Sequence, residues 1–338
     1  MSVEVDMAVR VGVVGAGIMG ADHANTLHRY VSGATVSMIA DVDPGRAEAA
    51  AAGMTGVRVT ADAFALIGDP SVDAVVVASH DATHADLVIA AIRAGKPVMC
   101  EKPLAPTVDE CLRVLRSEAT AGGAPLVSVG FMRRFDLGYE ELKAALRAGA
   151  CGTPLLLHCV SRGVRSGPGA TSEFSIVGSA IHEFDVVPWL LDAPITEVSW
   201  QAPRSAPAVT GLQDPQVMLL RTADSVLTTL EVFLNAGYGY DIRCEIVGDH
   251  GTVALTDPAR TVADANRQRF TGYPADWRPR FADAYRLELQ AWIDAVVAGE
   301  RSPLPTAQEG ITAVAVAEAA IASMNRAGAW TAVQIPSG

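Results

Sequence analysis

The run GAGIMG, residues 15–20, stands between the β-branched segment VRVGVVG and the helical segment ADHANTLHRYV. Gly15, Gly17 and Gly20 permit a tight turn and close approach of a pyrophosphate, whose charge then sits at a helix N-terminus. Such a turn commits the chain to a strand–helix–strand crossover. The segments that follow agree: TVSMIAD is a second strand, DPGRAEAAAA a second helix and AVVVAS a later strand, while HADLVIAAIRAG is a helix closed by Gly95 and PVMCEK a further strand. Apolar strands alternating with helices indicate a parallel sheet covered on both faces. The acidic residue due about 20 positions beyond the turn is Asp41, at the end of TVSMIAD. Its carboxylate suits the adenosine ribose hydroxyls and repels a 2′-phosphate, so NAD is the expected cofactor, with Asp43 and Arg46 the neighbours able to alter that preference. Ile18 and Met19 belong to the same cofactor turn. Asp22 and His23, just beyond it, read as helix residues with no chemical role.

At 338 residues the chain exceeds the usual size of one hydrophobic core, so two domains are expected. A net charge of −12 argues against nucleic acid or an anionic membrane as a partner. The N-terminal segment reads as a first strand, not a signal peptide, and no stretch looks long and apolar enough to span a bilayer. A cytoplasmic protein is the expectation. The five cysteines form no CxxC pair and have no histidine at zinc-ligand spacing, so free thiols are expected and a metal site is not.

Glu101-Lys102-Pro103 closes the strand PVMCEK at the carboxyl end of the sheet, where ligands bind in open α/β folds. The proline biases Lys102 away from helix, so the lysine is presented from extended backbone. Ser79 and His80 fall at an equivalent strand end and are expected to line the cofactor cleft. From about Gly130 the pattern changes to the strands LLLHCVSR, TEVSWQAP, VMLLRT, VLTTLEVFL and YDIRCEIVG, with helices after Ser179 and Asp276.

GAGIMG, then AGKPVMCEKPLA, then GFMRRFD opening a second domain, resemble the glucose-fructose oxidoreductase / inositol dehydrogenase / MocA family. AGYGYDIRCEIVGDHGTVAL (236–255) and DWRPRFADAYRLELQAWIDA (276–295) resemble the inositol 2-dehydrogenases within it. The resemblance implies an α/β Rossmann domain plus an α+β domain with an open-faced, mostly antiparallel sheet, and a homo-oligomer, dimer or tetramer, assembled through that sheet. The expected divisions are 7–129 for the NAD-binding domain, 130–304 for the substrate and oligomerisation domain, and 305–330 for a C-terminal helix packing back on the first domain.

Carried over by position, Lys102 matches the family's catalytic lysine, His182 the histidine of its active-site helix and Asp185 the aspartate that follows. Met132, Arg133 and Tyr240 match positions near the substrate, and His84 one beside the nicotinamide end. Oxidising a secondary alcohol requires a base for the hydroxyl proton while hydride leaves the same carbon. Neutral imidazole suits the first task, and a nearby ammonium favours the developing alkoxide. His182 is thus the expected base and Lys102 its electrostatic partner, acting on a small polyol.

Two departures stand out. The family's usual aspartate four residues before the histidine is Gly178, so a carboxylate that would orient the imidazole is missing. Ser179, Glu173 or Asp185 could replace it, and a water or larger substrate group could fill the space. Ser161-Arg162-Gly163 stands where inositol dehydrogenases read His-Arg-Asn, which puts Arg162 beside the substrate and leaves another cyclitol, an aminocyclitol precursor or a pyranose open. A catalytically impaired NAD-binding regulator is the remaining alternative.

Overall fold

The computed structural model describes residues 8–206, 211–256 and 261–335, so residue 7, the expected start of the first domain, lies outside it. The chain forms two compact units. One comprises the chain up to Met132 together with Tyr285–Val314; the other comprises Arg133–Ala284 and Ala315–Ile335.

In the first unit the strands are β1 (Val9–Val14), β2 (Ala34–Ala40), β3 (Arg58–Thr60), β4 (Ala74–Val77), β5 (Val98–Glu101) and β6 (Val127–Gly130). The helices between them are α1 (Ile18–Tyr30), α2 (Pro44–Ala51), α3 (Ala63–Gly68), α4 (His84–Arg93) and α5 (Val108–Ala121). All strand pairs are parallel, in the order β3-β2-β1-β4-β5-β6. The order reverses between β1 and β4, and a crevice opens there beyond the carboxyl ends of the strands. Every residue of β4, β5 and β6 is buried, as a sheet covered on both faces requires. Helix α2 starts because Pro44 occupies its first position and Asp43 accepts the Gly45 and Arg46 N–H groups.

The second unit holds α6 (Leu137–Arg147), β7 (Pro154–Arg162), α7 (Ser172–Ser175), a π-helical turn at Ile176–Ala180, α8 (Ile181–Leu191), and strands β8 (Ile195–Gln201), β9 (Gln216–Thr222), β10 (Leu227–Phe233), β11 (Asp241–Gly248) and β12 (Thr252–Ala254). A small hairpin follows, β13 (Ala263–Ala265) with β14 (Gln268–Phe270). Helices α9 (Trp277–Ala298), with non-helical backbone at Phe281, and α10 (Ala307–Met324) come next, and β15 (Thr331–Ala332) is the last element among the described residues. The seven-stranded sheet runs β12-β11-β7-β10-β9-β8-β15 and is antiparallel except for β7 with β10. Tyr285–Val314 and the remainder of α10 thus fall in different units, whereas the sequence suggests boundaries at 304 and 305. A capping box starts α10: Thr306 N–H donates to Glu309 Oε2 (2.8 Å) and Glu309 N–H to Thr306 Oγ1 (3.3 Å).

One sequence expectation fails. The helical run Ser172–Leu191 is long and apolar enough by composition to cross a membrane, with a mean hydropathy of 1.2. It begins at Ser172 instead of after Ser179, because Thr171 caps it by accepting the Phe174 N–H. Most of its apolar window is buried within the protein, and Glu183 and Asp185 on it are each paired with an arginine. It is a core helix. All five cysteines are buried free thiols.

Candidate active site

In the first unit the glycine turn is fixed by backbone geometry. Gly15 has φ +91°, and a Cβ there would lie 2.6 Å from the Ala78 backbone. A Cβ on Gly20 would lie 1.8 Å from the Gly15 carbonyl oxygen, so α1 can approach β1 this closely only without a side chain. At Gly17 a Cβ would meet nothing within 4 Å: that face of the turn is open. Gly17 caps α1 without a side-chain hydrogen bond, leaving the first N–H groups of the helix available to an anion.

A cavity of about 800 Å³ adjoins this turn, lined among others by Gly15, Asp41, Phe64, Ser79 and His80. Asp41 Oδ2 accepts the Ala16 N–H (2.7 Å) and Oδ1 the Asp43 N–H (2.8 Å). Arg46 Nη2 lies 3.1 Å from Asp41 Oδ1 and is half exposed. A carboxylate has about four acceptor positions, so the two N–H donors and the Arg46 contact leave one for a ribose hydroxyl, or two when Arg46 moves aside. Ile18 is exposed on the first turn of α1 and Met19 is partly buried beside it. These features fit a dinucleotide: an open anion-binding turn, an acidic strand end and a cavity of ligand size.

Around β4 and β5 the site residues are tied to each other. The Ser79 and Thr83 hydroxyls lie 2.7 Å apart. His80 is exposed and faces Asp81 Oδ1 at 2.8 Å. His84, by contrast, is buried, with Nδ1 2.8 Å from the Pro103 carbonyl oxygen and Nε2 3.1 Å from that of Ser79. It staples two loops and presents no nitrogen to a ligand. Lys102 is half-buried just past β5, joined to Pro103 by a cis peptide, and its N–H donates to Glu101 Oε2 at 3.2 Å. Glu101 itself is buried, and its Oε1 lies 2.7 Å from His23 Nε2. Burial pushes the Glu101 carboxyl up, but the His23 hydrogen bond and the charges of His23, Lys102 and His84 outweigh it and hold the carboxyl below its ordinary range. His23, dismissed on sequence, is thus part of the lysine turn. Its spacing one helical turn past Gly20 is the only local signal for it.

In the second unit His182 and Asp185 share α8 and both are buried. Asp185 receives a bidentate contact from Arg134, Nε at 3.0 Å and Nη2 at 2.5 Å. Met132 and Arg133, which the resemblance sets near the substrate, are each only 1% exposed. Arg133 Nη1 donates to Glu183 Oε1, and its guanidinium carbon lies 5.9 Å from the Phe281 ring centre. Burial pushes the Glu183 carboxyl up, and Arg133 pulls it back only in part. A buried guanidinium needs a buried anion, and Glu183 supplies it. Tyr240, partly exposed, packs edge-on to Phe281 at 6.3 Å, and desolvation pushes its hydroxyl up to about 12. Arg162 forms a fork with Glu231 (2.6 and 2.7 Å) and donates to the Tyr238 hydroxyl at 3.0 Å.

Gly178 sits inside the π-helical turn, one of the distortions that recur at functional sites. The space beside it is filled: a Cβ would lie 3.2–3.4 Å from the Phe174 ring. Phe174 is about half exposed, so its ring covers the glycine and still presents a face outward. The local signal for that contact is the i,i+4 spacing of Phe174 and Gly178. Ser179 faces Ser161 across 3.5 Å, and Glu173 is exposed.

A family model described as "Oxidoreductase family, NAD-binding Rossmann fold" matches residues 9–131, and one described as "Oxidoreductase family, C-terminal alpha/beta domain" matches 169–333. The chain belongs to the glucose-fructose oxidoreductase / inositol dehydrogenase / MocA family. Its cofactor is NAD, and it is a dehydrogenase acting on CH–OH groups. It is 53% identical to inositol 2-dehydrogenase 2 of Paenarthrobacter aurescens, over 97% of this chain and 99% of that one. It is 51% identical to inositol 2-dehydrogenase 1 of Saccharopolyspora erythraea, over 93% of this chain and 94% of that one. The crystal structure of myo-inositol dehydrogenase from Lactobacillus casei, in complex with NAD(H) and myo-inositol, matches with a TM-score of 0.93 at 32% identity, covering 98% of both chains.

Proposed function

We propose that the protein is an inositol 2-dehydrogenase-like enzyme that oxidises a secondary hydroxyl of a cyclitol. The whole-length likeness to inositol 2-dehydrogenases carries this proposal. NAD, held by Gly15, Gly17, Gly20 and Asp41, supplies a hydride acceptor when bound. The His182 imidazole takes the hydroxyl proton, a step worth about 10²–10⁴ in rate. The Lys102 ammonium steadies the oxygen as negative charge develops on it. Asp185 and Arg134 hold one face of α8, so that helix presents His182 from a fixed backbone. The molecule assembles as a homo-oligomer through the open face of the seven-stranded sheet, which a solution mass measurement tests.

Phe174 lying across Gly178 favours a second substrate class. A ring stands where the family carries a carboxylate, so a polar contact is replaced by an apolar one, and a different cyclitol, an aminocyclitol precursor or a pyranose is the alternative substrate. NADH formation with a panel of inositols, inosamines and pyranoses separates the two. Turnover highest with myo-inositol supports the first; turnover confined to another class supports the second. NAD binding with no turnover on any of them would point to a regulator instead.

A further inference from the structure

Two buried histidines flank the lysine turn and neither has a role in the reaction as proposed. His23, on α1, is fully buried, and its Nε2 contacts Glu101 Oε1 at 2.7 Å while its ring packs edge-on to Tyr285 at 5.6 Å. The other Glu101 oxygen accepts the Lys102 N–H at 3.2 Å. On the far side of the same turn, His84 holds the Pro103 carbonyl at 2.8 Å. The backbone on both sides of Lys102 is therefore anchored by side chains with essentially no exposed surface.

An exposed glutamate could not do this, because water would compete for both oxygens. Here the carboxylate is buried, so its two strong acceptors go to two fixed donors. Lysine carries its charge on a flexible four-carbon stem, and the position of the ammonium is defined only as well as the backbone that carries it. Errors of about 1 Å at such a group cost about 10² in rate. His23 also sits on the helix that opens at Gly17, so the lysine turn is tied to the element that receives the pyrophosphate.

We propose that His23, acting through Glu101, is a positioning residue for Lys102: it fixes the backbone from which the ammonium is presented. This rests on the catalytic role proposed for Lys102. His23→Leu removes the hydrogen bond at similar volume, whereas His23→Gln keeps a nitrogen near the Nε2 position. With NAD and the best polyol of the panel, His23→Leu is expected to lower kcat at least tenfold, with KM and the dissociation constant for NADH within about threefold. His23→Gln is expected to recover most of that loss. In the protein without cofactor, amide exchange in the peptide spanning residues 98–106 should speed up in His23→Leu and return toward the wild-type rate in His23→Gln.

Lys102→Ala serves as the control. If Lys102→Ala turns over normally, the role of the lysine fails and the positioning role goes with it. If Lys102→Ala is inactive but His23→Leu keeps kcat within twofold, the positioning role alone is wrong. Equal loss in the Leu and Gln variants would also overturn it, since only packing would then matter. Should His23→Leu fail to fold, Glu101→Gln replaces it: unchanged kcat and unchanged amide exchange in that variant would overturn the proposal.

Discussion

The crevice of the first unit and the α8 region of the second are built from different materials. The crevice is made by backbone: a glycine at positive φ, a second glycine against a carbonyl oxygen, and strand ends that converge at a switch point. The α8 region is made by side chains, with Arg133, beside the Phe281 ring, on Glu183 and Arg134 on Asp185. A backbone site fails when a methyl group is added. A side-chain site fails when a partner is removed. The two regions should therefore respond to opposite kinds of substitution.

The largest effects fall on the two residues proposed to touch the reacting oxygen. Lys102→Ala and His182→Ala should each lower kcat by about 10²–10⁴, read as initial rates of NADH formation. Removing one partner of the buried pair comes next. Glu183→Ala leaves the Arg133 guanidinium without its anion and should cost about 3–5 kcal/mol in urea unfolding, while replacing both residues by apolar ones should recover much of that. In the crevice, Gly20→Ala forces a Cβ into the Gly15 carbonyl; overpacking of about 1–3 kcal/mol should weaken NADH binding about tenfold, measured by fluorescence titration.

Smaller effects sharpen the contrast. The Glu101 carboxyl is held low in the folded protein, so its contribution to stability is fully present above the ordinary glutamate pKa of about 4.3 and is lost as pH falls through the folded value. Glu101→Gln should flatten the acid limb of stability against pH, followed by thermal unfolding from pH 7 to 3. The smallest change is expected at Gly178→Ala. The exposed Phe174 ring can give way by a few tenths of an ångström, and alanine is the better helix former, so stability should move by no more than about 1 kcal/mol.

The same contrast explains what could be seen in the sequence. Gly15, Gly17, Gly20, Asp41 and the strands around them were legible because each is dictated by local backbone demands that spacing records. The mixed sheet of the second unit followed from a family likeness, not from periodicity. The anion of Arg133, Glu183, stands fifty residues away, and nothing local shows the pair. His23 was dismissed for the same reason: its partner Glu101 is 78 positions on. Gly178 alone reads as a vacancy; Phe174 stands one helical turn before it, but the spacing does not say that the ring lies across the glycine. Similarly, the composition of Ser172–Leu191 hides that Glu183 and Asp185 are each paired with an arginine.

The most direct test of NAD-dependent cyclitol oxidation uses myo-inositol deuterated at every ring carbon, with the wild type and His182→Ala compared by mass spectrometry of the cofactor. The account predicts deuterium in the reduced nicotinamide from the wild type and a rate at least about 10² lower from the variant. Reduced cofactor without deuterium, or equal rates from the two proteins, would contradict it.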